Sequence, residues 1–153
     1  MQNTTIHIKR ELQLTADGSH TLFIPEMDEH YHSVNGAVQE SRHVFIEAGL
    51  HHLERREITI LEIGFGTGLN AFLTLLDAEA CQRKIHYCSI ELYPLGTDVI
   101  ESLNYGEMLC AGRKDVFHAL HQAEWNVAVQ VTEFFELHKI QGDSNTCALP
   151  DRI

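Results

Sequence analysis

The chain has 153 residues, 44% of them hydrophobic and 22% charged, proportions that suit one globular domain around one core and do not make disorder the default. Eleven Lys and Arg against 22 Asp and Glu leave a formal charge of −11, so any contact with nucleic acid must rest on local basic patches rather than on a general affinity for polyanions. No apolar run approaches the roughly 20 residues that cross a bilayer, and the polar start "MQNTTIHIKRE" has no signal-peptide pattern, so no membrane is expected and the expected location is the cytoplasm.

In chain order, Ile6, Ile8, Leu12 and Leu14 alternate along "IHIKRELQL", and "TLFI" follows Asp17-Gly18, a pattern that predicts an N-terminal β-hairpin. A polar, turn-prone stretch, "PEMDEHYHSVNGAVQES", comes next. In "RHVFIEAGLHHLERRE" the spacing of Ile46, Leu50 and Leu53 predicts a helix with one buried stripe. The run "ITILEI" reads as a strand covered on both faces. After the glycine-rich segment, Leu69, Phe72, Leu73 and Leu76 form another helical stripe, and "IHYCSIEL" is a second strand, so the unit is βαβ and the sheet parallel. Residues 94–125 read as helical with breaks at Gly106 and Gly112, and Val116, Leu120 and Ala123 share a face in the last piece. The stretch "VAVQVTEFFELHKIQGD" is strand-like, anchored by Phe135, Leu137 and Ile140 and closed by Gly142-Asp143.

Cys81, Cys88, Cys110 and Cys147 are irregularly spaced with no CxxC pair, so neither a zinc knuckle nor a disulfide framework is indicated, and the histidine groups lack partners at metal-ligand spacing. No metal is expected. The basic pairs Lys9-Arg10, Arg55-Arg56, Arg83-Lys84 and Arg113-Lys114 read, each alone, as solvated helix ends and strand edges.

The segment Glu62-Ile-Gly64-Phe65-Gly66-Thr67-Gly68 sits where the first parallel strand turns into a helix, and glycines there expose backbone N–H groups at the ligand-binding edge of an α/β sheet. The dinucleotide pattern GxGxxG fails because position 69 is Leu69, and the P-loop fails because no Lys-Ser or Lys-Thr follows. Glu91 ends the second strand, where a carboxylate can accept both ribose hydroxyls of an adenosine.

The order Glu62-x-Gly64-x-Gly66-x-Gly68 resembles the first motif of class I S-adenosylmethionine-dependent methyltransferases. Asp28, Tyr31, Ser33, Gly36, Glu40, Val44 and Phe45, followed by Gly64 to Asn70, are similar in order and spacing to the methyltransferase domain of the MnmC-like family, which completes 5-methylaminomethyl-2-thiouridine at the tRNA wobble position. The resemblance runs from the hairpin to Asp143. It implies an α/β, Rossmann-like class I methyltransferase fold with an N-terminal β-hairpin extension, S-adenosylmethionine as cofactor, tRNA as partner, and methyl transfer to a 5-aminomethyl group on uridine. It implies cofactor contacts from Glu62, Gly64, Phe65, Gly66, Thr67, Gly68, Asn70, Glu91 and Asp143, the last near the adenine amino group, and substrate contacts from Asp28, Tyr31 and Ser33. Asp28, Ser33 and Asp143 also read as turn-capping residues, and Tyr31 as lid packing.

The implied domains are 1–40, a hairpin and lid segment, and 41–153, a partial cofactor-binding domain. Family members continue into a fourth strand with a motif like Asp-Ala-Phe-x-Pro, so the chain is expected to be a fragment. Its fold is then incomplete, its catalytic residues are unassigned, its sheet edge is open to a second copy, and its affinity for the cofactor is low. The stretch "MDEHYHS" also resembles polyamine aminopropyltransferases, whose glycine loop is Gly-Gly-Gly-Asp-Gly; a non-catalytic nucleotide-binding module is the third reading.

Overall fold

A computed structural model describes residues 8–151 and 153; Ile6 and the rest of residues 1–7, which belong to the expected hairpin and lid segment, lie outside the described residues. The molecule is α/β, with two sheets ordered β1-β2-β3 and β4-β5-β7-β6. Strands β1 (Glu11–Leu14), β2 (His20–Ile24) and the short β3 (Glu29–His30) pair antiparallel, with Leu12 opposite Leu22. Asp17 fixes the β1–β2 turn. Its Oδ1 accepts from Thr15 Oγ1 and from the Ser19 amide and hydroxyl, at 2.8, 2.9 and 2.5 Å. Its Oδ2 accepts from the Gln39 amide at 2.9 Å, which docks the turn on α1 (Ala37–Ser41).

The helix expected around Ile46 is interrupted. Helix α1 widens into a π turn over Arg42–Glu47, and a 3-10 turn follows at Leu50–His52. Ile46 and Leu50 still point into the core, but Leu53, the third residue of the expected stripe, is exposed because the chain has already turned extended there, and Val44 and Phe45 are exposed as well.

Strand β4 (Glu57–Ile63) leads through the glycine loop into α2 (Leu69–Ala80) and back to β5 (Lys84–Glu91), parallel to β4 with Glu62 opposite Ser89. Three short helices follow, α3 (Thr97–Ser102), α4 (Tyr105–Cys110) and α5 (Lys114–Gln122). Gly106 lies inside α4 rather than breaking it; the break falls at Leu103 and Asn104, while Gly112 does sit in the 3-10 turn between α4 and α5. The last strand-like stretch is two strands, β6 (Ala128–Thr132) and β7 (Phe135–Gln141), antiparallel to each other, with β7 parallel to β5.

The core lies on one face of the larger sheet. Ile58, Ile85, Tyr87, Phe135 and Leu137 pack there with Phe72 and Leu75 of α2 and Val116, Phe117 and Leu120 of α5. Such burial contributes about 1.5–3 kcal/mol for each large apolar side chain. Register adds a polar row to the same face, Glu62, Ser89 and Lys139 lying side by side on β4, β5 and β7. On the opposite face Cys88, Ile90 and Ile140 form a small cluster capped by Cys147, while Leu61 and Ile63 of edge strand β4 are 38% and 61% exposed.

Candidate functional site

Gly64, Gly66 and Gly68 all have positive φ, at 89°, 54° and 74°. Gly68 is required twice over, because a Cβ on its left-handed backbone would also lie 2.8 Å from His121 Nε2. The expectation of bare glycine amides does not hold. Gly64 N–H donates to Ile90 O at 2.7 Å, Gly66 N–H to Glu91 Oε2 at 2.9 Å and Gly68 N–H to Phe65 O at 2.9 Å. The first two bonds tie the loop to the end of β5 and the third closes it on itself, so all three glycine amides are engaged.

Glu91 is half-buried at the end of β5, with Oε1 taking the Tyr93 amide at 2.8 Å and Oε2 the Gly66 amide. Each oxygen keeps a lone pair for a further donor. Glu62 lies beneath the loop, only 7% exposed; Oε1 accepts from Asn70 Nδ2 at 3.1 Å and Oε2 from Ser89 Oγ at 2.8 Å. Burial pushes its pKa up to about 7 against the opposing pull of these two hydrogen bonds, and the negative charge of Glu91 adds to the rise. Asn70 Oδ1 is buried with no hydrogen-bond partner among the described residues. An acceptor left orphaned in this way costs about 1–3 kcal/mol unless a ligand donor meets it.

Glu62, the run from Gly64 to Thr67, and Asn70 line a cavity of about 480 Å³, within the range of small-molecule sites. The lid segment closes one side of it. The Tyr31 ring lies over Gly66, where a Cβ would come within 3.2 Å of it. Arg10 Nε donates to Tyr31 Oη at 2.8 Å and Arg10 Nη2 to Tyr93 O at 2.9 Å, so one guanidinium holds both the lid and the turn that carries Glu91. His32 Nε2 is 2.9 Å from Thr67 Oγ1, and burial lowers its pKa.

From the core side, His121 Nε2 stands 3.0 Å from Thr67 O. A carbonyl can only accept, so this nitrogen carries the proton. Burial pushes the His121 pKa down to about 4, and the positive charge of Lys139 adds to the shift. Lys139 Nζ donates to His121 O at 2.7 Å and lies 4.5 Å from the Trp125 ring centroid and 5.3 Å from that of Phe65. Its own pKa is lowered by burial to about 8. Phe65 and Thr67 are thus buried supports of the loop, at 4% and 1% exposure.

Of the sequence-predicted site residues, Asp28, Ser33, Gly68, Glu91 and Asp143 do not line the cavity, Glu91 reaching it only through its bond to the Gly66 amide. Asp28 is exposed at φ 54° in the β2–β3 turn. Ser33 Oγ accepts from the Asn35 amide at 3.2 Å while its own amide donates to Glu40 Oε2 at 2.8 Å. Asp143 Oδ1 caps the turn after β7 by accepting from the amide and side chain of Asn145, at 2.8 and 2.9 Å. Conversely Arg10, His32, Ser89, His121 and Lys139 support the site although none is among the site residues singled out from the sequence; Arg10 is half of an ordinary Lys-Arg pair, and His32 lies within "MDEHYHS" without a role assigned to it.

The side-chain groups gathered around the loop, Glu62, the orphaned Asn70 Oδ1 and Glu91, are acceptors, which suits a ligand that brings hydrogen-bond donors or positive charge.

No family model matches the chain. It is 36% identical over 99 residues to the tRNA 5-methylaminomethyl-2-thiouridine biosynthesis bifunctional protein MnmC of Magnetococcus marinus, covering 61% of this chain and 14% of that one. With the protein of the same name from Cupriavidus necator the identity is 31% over 134 residues, 83% of this chain and 19% of the relative. The crystal structure of MnmC2 from Aquifex aeolicus superposes with a TM-score of 0.70 at 26% identity, over 92% of this chain and 45% of that one. The chain therefore spans less than a fifth of the length of these two curated relatives, 14% and 19%.

Proposed function

The chain belongs to an MnmC-like family, and from that premise we propose that it forms the cofactor-holding part of an S-adenosylmethionine-dependent methyltransferase acting on the 5-aminomethyl group of wobble uridine in tRNA. In this reading the fold is of the Rossmann-like class I methyltransferase type, residues 1–40 are its hairpin and lid, and residues 41–153 form the cofactor domain. One observation carries the proposal. Every glycine amide of the loop is already bonded, and the surrounding groups, Glu62, Asn70 Oδ1 and Glu91, are acceptors.

The cofactor supplies an activated methyl group on a sulfonium, so no covalent enzyme intermediate is needed. The chain's own residues bind and orient. Glu91 receives the ribose hydroxyls, Glu62 and Asn70 receive the ammonium, and Gly64, with open space where a Cβ would project, leaves room for close approach. Tyr31 closes over Gly66 and excludes water from that side.

Isothermal calorimetry of the chain with S-adenosylmethionine tests this. Binding is expected and is weakened about tenfold or more by Glu91→Ala, which removes two hydrogen-bond acceptors for charge-assisted contacts. Unchanged affinity in Glu91→Ala would remove Glu91 from the site, and preferential binding of decarboxylated S-adenosylmethionine would favour the aminopropyltransferase reading.

A further inference from the structure

The eleven Lys and Arg residues of this acidic chain are not used alike. Lys9 pairs with Glu11 at 2.7 Å, Lys114 with Glu107 at 3.1 Å, and Arg113 with Glu79. Arg10 is spent on Tyr31, Ile8 O and Tyr93 O, and Lys139 is buried. Among the described residues, Arg42, Arg55, Arg56, Arg83 and Lys84 make no ion pair. Carboxylates outnumber cations two to one, 22 to 11, so unpaired cations in such a chain need a reason when they gather in one place.

Four of the five do gather. Arg55 and Arg56 directly precede β4, Arg83 and Lys84 open β5, and the Lys84 amide donates to Arg56 O at 2.8 Å, so parallel pairing brings two sequence-distant pairs together. Arg55, Arg56 and Arg83 line one cavity of about 280 Å³ with Cys81 and Gln82. Arg83 is held in place by donating from Nη1 to Leu50 O at 3.0 Å. Glu54 is the one carboxylate in the lining. The neighbouring acids are engaged elsewhere, Asp77 with His51 at 2.7 Å and Glu57 with His86 at 2.8 Å.

We propose that Arg55, Arg56, Arg83 and Lys84 form a surface that binds the phosphate backbone of RNA at the amino edge of the larger sheet. Guanidinium groups match phosphate geometry with paired donors, which a scatter of solvated lysines does not. The patch lies at the far end of β4 from the glycine loop, about 20 Å away at roughly 3.3 Å per residue. A partner that engages the patch and the glycine loop together has to be a macromolecule able to reach both ends of the sheet, and it takes its identity as a tRNA from the function proposed above, on which this inference rests.

The test uses the 153-residue chain and an unmodified tRNA transcript with uridine at the wobble position, with affinity read by fluorescence anisotropy across a salt series. Arg55→Glu combined with Arg56→Glu is expected to weaken binding at least about tenfold and to reduce the slope of log K against log salt by about 1.4–1.8, that is 0.7–0.9 per lost phosphate contact. Calorimetry with S-adenosylmethionine on the same variant is expected to match the parent. Should circular dichroism show that the reversal variant does not fold, Arg55→Gln with Arg56→Gln carries the same comparison with a smaller effect. Unchanged RNA affinity and salt slope in a folded variant would overturn the proposal. So would a parent chain that binds the cofactor but no tRNA, or one that binds vesicles of anionic phospholipid in preference to tRNA. In those cases the cofactor reading stands on its own calorimetry.

Discussion

Glu62 shows how far one buried side chain can shift the behaviour of the site. Its folded-state pKa of about 7 exceeds the ordinary 4.5, so between those values the native state holds a proton that the unfolded chain has lost. Stability therefore falls as pH rises through this window, by on the order of 3 kcal/mol once both states are ionised. Glu62→Gln keeps the size and the Ser89 and Asn70 neighbours but cannot ionise. Urea denaturation at pH 5 and pH 8 is expected to show the parent losing stability at the higher pH relative to the variant. Parallel pH dependences for the two proteins would mean that Glu62 is not in a desolvated place. In the proposed reading, a ligand ammonium set against Glu62 would reverse the effect by stabilising the ionised form, and ligand binding would then release a proton.

At the scale of elements, the lid, the glycine loop and the turn after β5 are joined through Arg10, whose contacts reach 21 residues along the chain to Tyr31 and 83 to Tyr93. Arg10→Ala is expected to weaken S-adenosylmethionine binding several-fold with little change in melting temperature, because the three elements keep their own packing and lose only their mutual position. A melting-temperature drop as large as that of a core deletion would make Arg10 a structural strut. This clasp was invisible in the sequence, where Arg10 is half of an ordinary Lys-Arg pair. The βαβ unit was legible because its signals are local, a β-branched run, a glycine turn and a helical stripe. For the same reason the glycine loop and Glu91 could be placed at one sheet edge. Contacts of long sequence separation could not be read. His121 under Gly68 and His32 on Thr67 depend on how α5 and the lid pack, and the capping of turns by Asp143 and Ser33 depends on local angles that spacing does not encode. The π turn that exposes Val44 and Phe45 likewise interrupts a helical pattern that looked continuous.

For the whole molecule, the larger sheet is covered on one face and open on the other, with β4 at its edge and Leu61 and Ile63 exposed there. An unprotected apolar edge strand invites pairing with another chain. Concentration-dependent association by light scattering is expected, and Ile63→Lys, which places a charge on that edge, is expected to reduce it; identical scattering from the two proteins would locate the association elsewhere. In the proposed reading, the hydrogen-bonded glycine amides also set which adenine compounds the site would reject. ATP has the same adenosine but, with its ribose on Glu91 as proposed, would carry its triphosphate tail towards Glu62, where no glycine N–H is free to receive it. In a mixture dominated by nucleoside triphosphates, selectivity would then come from repulsion of the tail and not from the shape of the base.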